Sequence, residues 1–233
     1  CDKCNVMYNI IHYMNTLGYI LVFTFIGSVI SLIGGILLLY KEKFAIKISH
    51  FLTAFAAGAL LSTAFFDLLP EASEYVENLG LNIDIKMWTL AGILVFFLLE
   101  RFIHHHHSHQ NHSEEDRKSI IPLVVIGDTV HNFADGVAIA ATFLINIPLG
   151  IITALAVATH EIPQEIGDFG LLLNKGISRK KVLLINLYSS LSAIAGAVLT
   201  YLYKDSIQEL LPIILALTAG FFIYIALANL VPE

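Results

Sequence analysis

The chain has 233 residues, of which 57% are hydrophobic and only 14% charged, with a net charge of −6. Its mean hydropathy of +0.76 is well above that of a soluble globular domain, where roughly a quarter of residues are charged. Such a composition excludes a water-soluble domain, and the acidic balance offers nothing for nucleic acid to bind.

In chain order, residues 1–15 form a short N-terminal segment, expected outside the membrane, with a CxxC pair, Cys1 and Cys4. Apolar runs follow at Leu17–Tyr40, Phe51–Pro70, Met87–Ile103, Ile120–Ile145, Leu149–Leu173, Val182–Tyr203 and Leu210–Val231. Each approaches the ~20 residues a helix needs to cross the hydrocarbon core. The fold class read from this pattern is an all-α integral membrane bundle, with one transmembrane domain over residues 16–233. Lys41, Lys43, Lys47, Arg101, Arg117, Lys118, Lys175, Arg179, Lys180 and Lys181 all follow the odd-numbered runs. The other connections and the N-terminus hold only Lys3, Lys86 and Lys204. Basic loops stay in the cytoplasm, so the N-terminus is expected outside and Glu233 inside. The type of host membrane is not encoded in this pattern.

The second and seventh runs are related. "AGALLSTAFFDLLPE" (Ala57–Glu71) aligns without gaps with "AGFFIYIALANLVPE" (Ala219–Glu233), sharing the Pro-Glu ending and pairing Asp67 with Asn229. The two runs cross in opposite senses, which predicts an inverted repeat of the kind that places transporter sites at the repeat interface. Completing the second half of that repeat predicts an eighth span. Between the third and fourth runs, "HHHHSHQNHSEEDRKS" carries His104, His105, His106, His107, His109 and His112. The tract lacks hydrophobic periodicity and reads as a disordered cytoplasmic loop over residues 104–118, its imidazoles suited to buffering transition metals.

The fourth and fifth runs carry the chemistry. From Ser119 to Asn174 there is no Lys or Arg, yet Asp128, Asp135, Glu161, Glu165 and Asp168 lie there. A central acid costs about 2.5–3.5 kcal/mol on the lenient insertion scale, so five unpaired ones would exceed roughly 12 kcal/mol. A bound cation could neutralise several together. In "GDTVHNFADG", Asp128, His131, Asn132 and Asp135 recur at i, i+3, i+4 and i+7, one helix face. In "HEIPQEIGD", His160 and Gln164 are four apart, as are Glu161 and Glu165. Imidazole, carboxylate and amide together suit Zn²⁺, Fe²⁺ or Mn²⁺. Pro163 is expected to kink the fifth helix. Asp128 and Asp168 lie on the cytoplasmic side of the histidines and read as an exit path. Asp67 reads as an entrance group, whereas Glu71 reads as a solvated helix-end residue. Asn186, Ser189 and Ser190 in the sixth run read as packing groups.

At these residues the chain resembles the ZIP family of divalent-metal transporters. "HNFADG" and "HEIPQEIGD" are similar to the HNFxDG and HExPHExGD signatures of one of its subfamilies. The resemblance implies an eight-helix transporter moving zinc or a related ion (Fe²⁺, Mn²⁺ or Cd²⁺) into the cytoplasm, by an elevator-like motion and as a homodimer. It implies His131, Asn132, Asp135, His160, Glu161 and Gln164 as metal ligands, with zinc as substrate and no cofactor. The expected partners are that ion and the lipid bilayer, with no nucleic acid. Gln164 departs from the signature histidine, and a neutral amide bridges two ions poorly, so a second ion is expected to bind weakly or not at all. Two other readings compete: a metal-sensing membrane receptor, and an intramembrane metalloprotease built on the histidine-glutamate pair at 160–161. The second lacks the HExxH histidine, because position 164 is Gln.

Overall fold

A computed structural model describes residues 16–105 and 114–232. Among them there are seven helical rods and no strand: α1 (Thr16–Tyr40), α2 (Glu42–Leu79), α3 (Ile85–His105), α4 (Glu114–Ile145), α5 (Ile147–Asn174), α6 (Arg179–Leu202) and α7 (Gln208–Leu230). Each coincides with one of the apolar runs. α1, α2, α6 and α7 are long and apolar enough to cross a membrane. α4 and α5 have the length, 32 and 28 residues, but carry the acids and amides that lower their mean hydropathy. The all-α membrane bundle is therefore the architecture of this chain.

The rods are joined tightly where polar caps allow it. Asn146 alone separates α4 from α5; its side chain accepts from Leu149 N at 2.8 Å and caps α5. The same amide donates to Glu71 Oε1 at 3.1 Å. Glu71 is thus no helix-end residue, because α2 runs on to Leu79 and its carboxylate ties α2 to the start of α5. Gly80, at φ 62°, takes the left-handed turn that ends α2.

α4 and α5 lie at the centre. α6 packs along α4, α1 and α2 pack along α5, and α3 packs along α7, which in turn touches α4. Small residues permit these approaches, since in lipid close backbone packing drives helix association. A Cβ on Gly136 would collide with the carbonyl of Ala193, and one on Gly196 with that of Phe133, so α4 and α6 cross backbone to backbone. α3 and α7 meet in the same way at Gly92 and Gly220. Large apolar side chains such as Phe51, Phe66, Leu98 and Tyr188 face outward, as expected where the surroundings are lipid.

Four features add to or correct the sequence-based expectations. α1 is interrupted by a π turn at Phe25–Val29 and a 3₁₀ turn at Ile30–Leu32. α5 passes through Pro163 without ending. The His-rich tract is not irregular at its edges: His104 and His105 belong to the last turn of α3, and α4 begins at Glu114. The acids Glu114, Glu115 and Asp116 favour a helix start there, since negative charge stabilises an N-terminus. Residues 106–113 lie outside the described residues, as do Cys1 and Cys4. The fourth feature supports the repeat. π turns occupy Thr63–Leu68 in α2 and Ile225–Leu230 in α7, which are the same six positions in the ungapped alignment. Asp67 and Asn229 take the fifth place in each.

Gly136→Leu is expected to abolish the monodisperse peak of the detergent-solubilised protein in size-exclusion chromatography. Gly58→Ala, where an added Cβ meets nothing within 4 Å, should leave the peak unchanged.

Candidate metal centre

One helix face of α4 and one of α5 meet at the middle of the bundle. His131 and Asp135 come from α4, and His160 and Glu161 from α5. His131 Nε2 lies 3.2 Å from His160 Nε2, 3.6 Å from Asp135 Oδ2 and 3.4 Å from Glu161 Oε1. His160 Nε2 lies 3.4 Å from Asp135 Oδ2 and 3.8 Å from Glu161 Oε1. One donor atom from each of the four residues falls within 4.8 Å of all the others. A tetrahedral zinc with bonds of about 2.0–2.1 Å has edges of roughly 3.3 Å between its donors. The five separations given above bracket that edge. The four groups thus present two nitrogens and two oxygens at spacings close to those of a tetrahedral site.

Burial makes the fit consequential. The side chains of Asp135, His160 and Glu161 are at most 1% exposed, and both carboxylates lack a hydrogen-bond partner on either oxygen. Two uncompensated carboxylates in a dry interior are costly, and α4 and α5 hold no basic residue within this region. His160 Nδ1 lies 3.2 Å from the carbonyl of Ala156. That contact aims Nε2 at the centre, the usual support for a ligating imidazole.

α7 supplies the walls. The rings of His131 and Phe221 meet edge-on at 5.0 Å, and those of His160 and Phe222 at 6.1 Å. Phe96 of α3 stacks on Phe221 at 3.6 Å. Composition alone did not single out these phenylalanines. The repeat carries the signal, because Phe221 and Phe222 replace Ala59 and Leu60 of α2.

His131 is the one member of the four that also lines a cavity, of about 740 Å³. The cavity is bounded by Asp128, Gln164 and Asp168 on the way to Glu100 and Asn229. It lies at the end of the bundle where α3, α5 and α7 finish, the end that bears the basic connections. Asp128 and Asp168, set apart in sequence, thus line one cavity. Glu165 does not join it. Glu165 is buried against α6, where its Oε1 lies 3.4 Å from Ser190 Oγ and its Oε2 has no partner. Its side chain meets α6 rather than the cavity. Asp67 is half-buried in the π turn of α2 and is likewise not among the cavity residues.

The two amides are oriented by Asp128. Asn132 Nδ2 donates to the Asp128 carbonyl at 3.2 Å and to its Oδ1 at 3.0 Å. Gln164 Nε2 reaches the same Oδ1 at 3.5 Å. In α6, Asn186 donates to Val182 O and Ser190 approaches Asn186 O, the local packing role read from the sequence. Ser28 of α1 donates to Ser190 O, joining α1 to α6.

The sequence matches the ZIP Zinc transporter family over residues 16–122 and 118–233. The chain belongs to the ZIP zinc transporter family. It is 33% identical over 194 residues to zinc transporter ZIP13 of Pongo abelii, covering 78% of this chain and 57% of that protein. It is 45% identical over 115 residues to zinc transporter ZIP10 of Danio rerio, covering 49% of this chain and 14% of that protein. Against human zinc transporter ZIP4 it is 44% identical over 110 residues, covering 47% of this chain and 17% of the other. The chain thus spans little more than half of the first ZIP relative and far less of the other two.

If the four donors form the centre, Zn²⁺ at a hundred times its Kd will stabilise the protein by about 2.7 kcal/mol. The expected result is a zinc-dependent rise in melting temperature that His160→Ala removes.

Proposed function

We propose that this chain carries divalent transition-metal ions, zinc foremost, across a membrane into the cytoplasm. The ion would be held at the bundle centre, near the membrane midplane, by His131, Asp135, His160 and Glu161. The observation that carries this reading is the buried N₂O₂ set, which has zinc-like spacing and no protein cation to compensate it. The names of the relatives, all zinc transporters, support the same cargo.

A site that only sensed metal would need no passage. The cavity from His131 past Asp128 and Asp168 favours transport. Its position at the basic end of the bundle supports a cytoplasmic exit, by the charge rule for membrane orientation. Asp67, at the equivalent place in the opposing repeat, is the corresponding entrance group. Asn132 adds a fifth donor, an amide oxygen, to the site. Gln164, its NH₂ turned to Asp128, offers no anionic bridge, so the centre takes one ion. A metalloprotease reading fails on the same residue: Gln164 stands where HExxH chemistry requires a second histidine. Fe²⁺, Mn²⁺ and Cd²⁺ compete for the same donor set to degrees that ion competition would rank.

The His-rich tract acts, in this reading, as a buffer beside the exit. Radiolabelled zinc should enter vesicles containing the protein faster than empty ones. His131→Ala and Asp135→Ala should reduce that uptake to the empty-vesicle rate. Deletion of residues 104–112 should only modify the rate. Zinc flux equal to that of empty vesicles would defeat the transport reading.

A further inference from the structure

We infer that Asp128 is a positioning residue, which sets the metal centre by holding the amide of Asn132 through a hydrogen bond rather than by its charge. The inference rests on the metal-centre reading above and deepens it.

Asn132 is fully buried. An amide can present either end to a neighbour, and at Asp128 the choice is forced. Both Asp128 atoms it meets, the backbone carbonyl and Oδ1, are acceptors, so the NH₂ group must face them. That leaves Oδ1 of Asn132 as the other end of the amide, buried and without a hydrogen-bond partner. Asn132 sits beside His131 and one turn from Asp135, on the face that carries the four-donor group. A buried acceptor with no donor is rare in a native protein, and a cation satisfies it. Asp128 therefore determines that oxygen, not nitrogen, is offered to the ion.

Gln164 extends the arrangement to α5. Its NH₂ meets the same Asp128 Oδ1, at the longer distance of 3.5 Å. One carboxylate oxygen thus receives an amide from each of the two helices that build the centre. The signature histidine at 164 would bring a ring nitrogen to this place. The glutamine instead brings a donor that Asp128 can hold. The neutral Asn132 and Gln164 side chains are fixed by the same acceptor, which links the unusual residue 164 to the geometry of residue 132.

Hydrogen bonding and charge separate cleanly by substitution. Asp128→Asn keeps an acceptor oxygen for both amides and removes the charge. Asp128→Ala removes both. Loss of a group that supports a metal ligand typically lowers affinity 10- to 100-fold. Zn²⁺ affinity is measured on the full detergent-solubilised chain, by competition with a fluorescent zinc chelator, with monodispersity checked for each variant. Asp128→Ala should weaken Zn²⁺ binding at least about tenfold, and Asp128→Asn should stay within about twofold of the parent. Adding Asp128→Ala to Asn132→Ala should cause no further loss, because the two residues act through one oxygen. Equal loss in Asp128→Asn and Asp128→Ala, or additive losses in the double variant, would overturn the inference and make Asp128 a charged station on the path. His160→Ala serves as the separate control. If that variant binds zinc like the parent, the metal-centre reading itself fails, and this inference with it.

Discussion

The structure turns on two carboxylates, Asp135 and Glu161, sealed in the middle of an apolar bundle with no hydrogen-bond donor on any of their four oxygens. No lysine or arginine of α4 or α5 lies between residues 119 and 174, and the nearest side chains to the pair are the two imidazoles. A fold that keeps such a pair carries a standing electrostatic cost, which the proposed cation between them and the two imidazoles would relieve. That constraint explains the placement of the rest. α4 and α5 must lie side by side at the centre, so the apolar rods α1, α2, α6 and α7 shield them from lipid. Glycines at 136 and 196 let α6 lie close against α4. Phe221 packs against the ring of His131 and Phe222 against that of His160.

A sealed site cannot release its ion, and the asymmetry of burial addresses this. Three of the four side chains are almost wholly covered, and His131 is 15% exposed toward the cavity. In the proposed transport the path away from the centre would begin at His131 and pass Asp128 and Asp168, which line the same cavity. The π turns of α2 and α7 fall on matching residues of the repeat, and π turns inside α-helices often mark functional places. Asn229, in one of them, lines the cavity, and its counterpart Asp67 carries a charge at the other end of the repeat. The two halves of the bundle thus share a backbone irregularity and differ in the group it presents.

Much of this was legible in the sequence. The seven rods followed from run length alone. The grouping of His131 with Asp135 followed from helical spacing, the need for a cation from the absence of Lys and Arg between 119 and 174, and the grouping of His160 with Glu161 from the family resemblance. The family followed from the same two motifs. Other features escaped for physical reasons. Glu165 shares the i, i+4 relation of a ligand with Glu161, but periodicity fixes a helix face and not the neighbour that face meets, and here the neighbour is α6. Glu71 read as a helix end because Pro70 and the acid resembled a boundary, whereas proline is tolerated in the first turn of the segment that follows the π turn. The aromatic wall of α7 could not be told from ordinary apolar filling. The orientation of Asn132 depends on which acceptor lies beside it, and only three-dimensional placement supplies that.

X-ray absorption at the zinc edge, on the zinc-loaded protein lacking residues 104–112, tests the central claim most directly. The account predicts a four- or five-coordinate N/O shell at about 2.0–2.2 Å, with the multiple-scattering signature of two imidazoles; loss of bound zinc on that deletion, or a shell without two imidazoles, would contradict it.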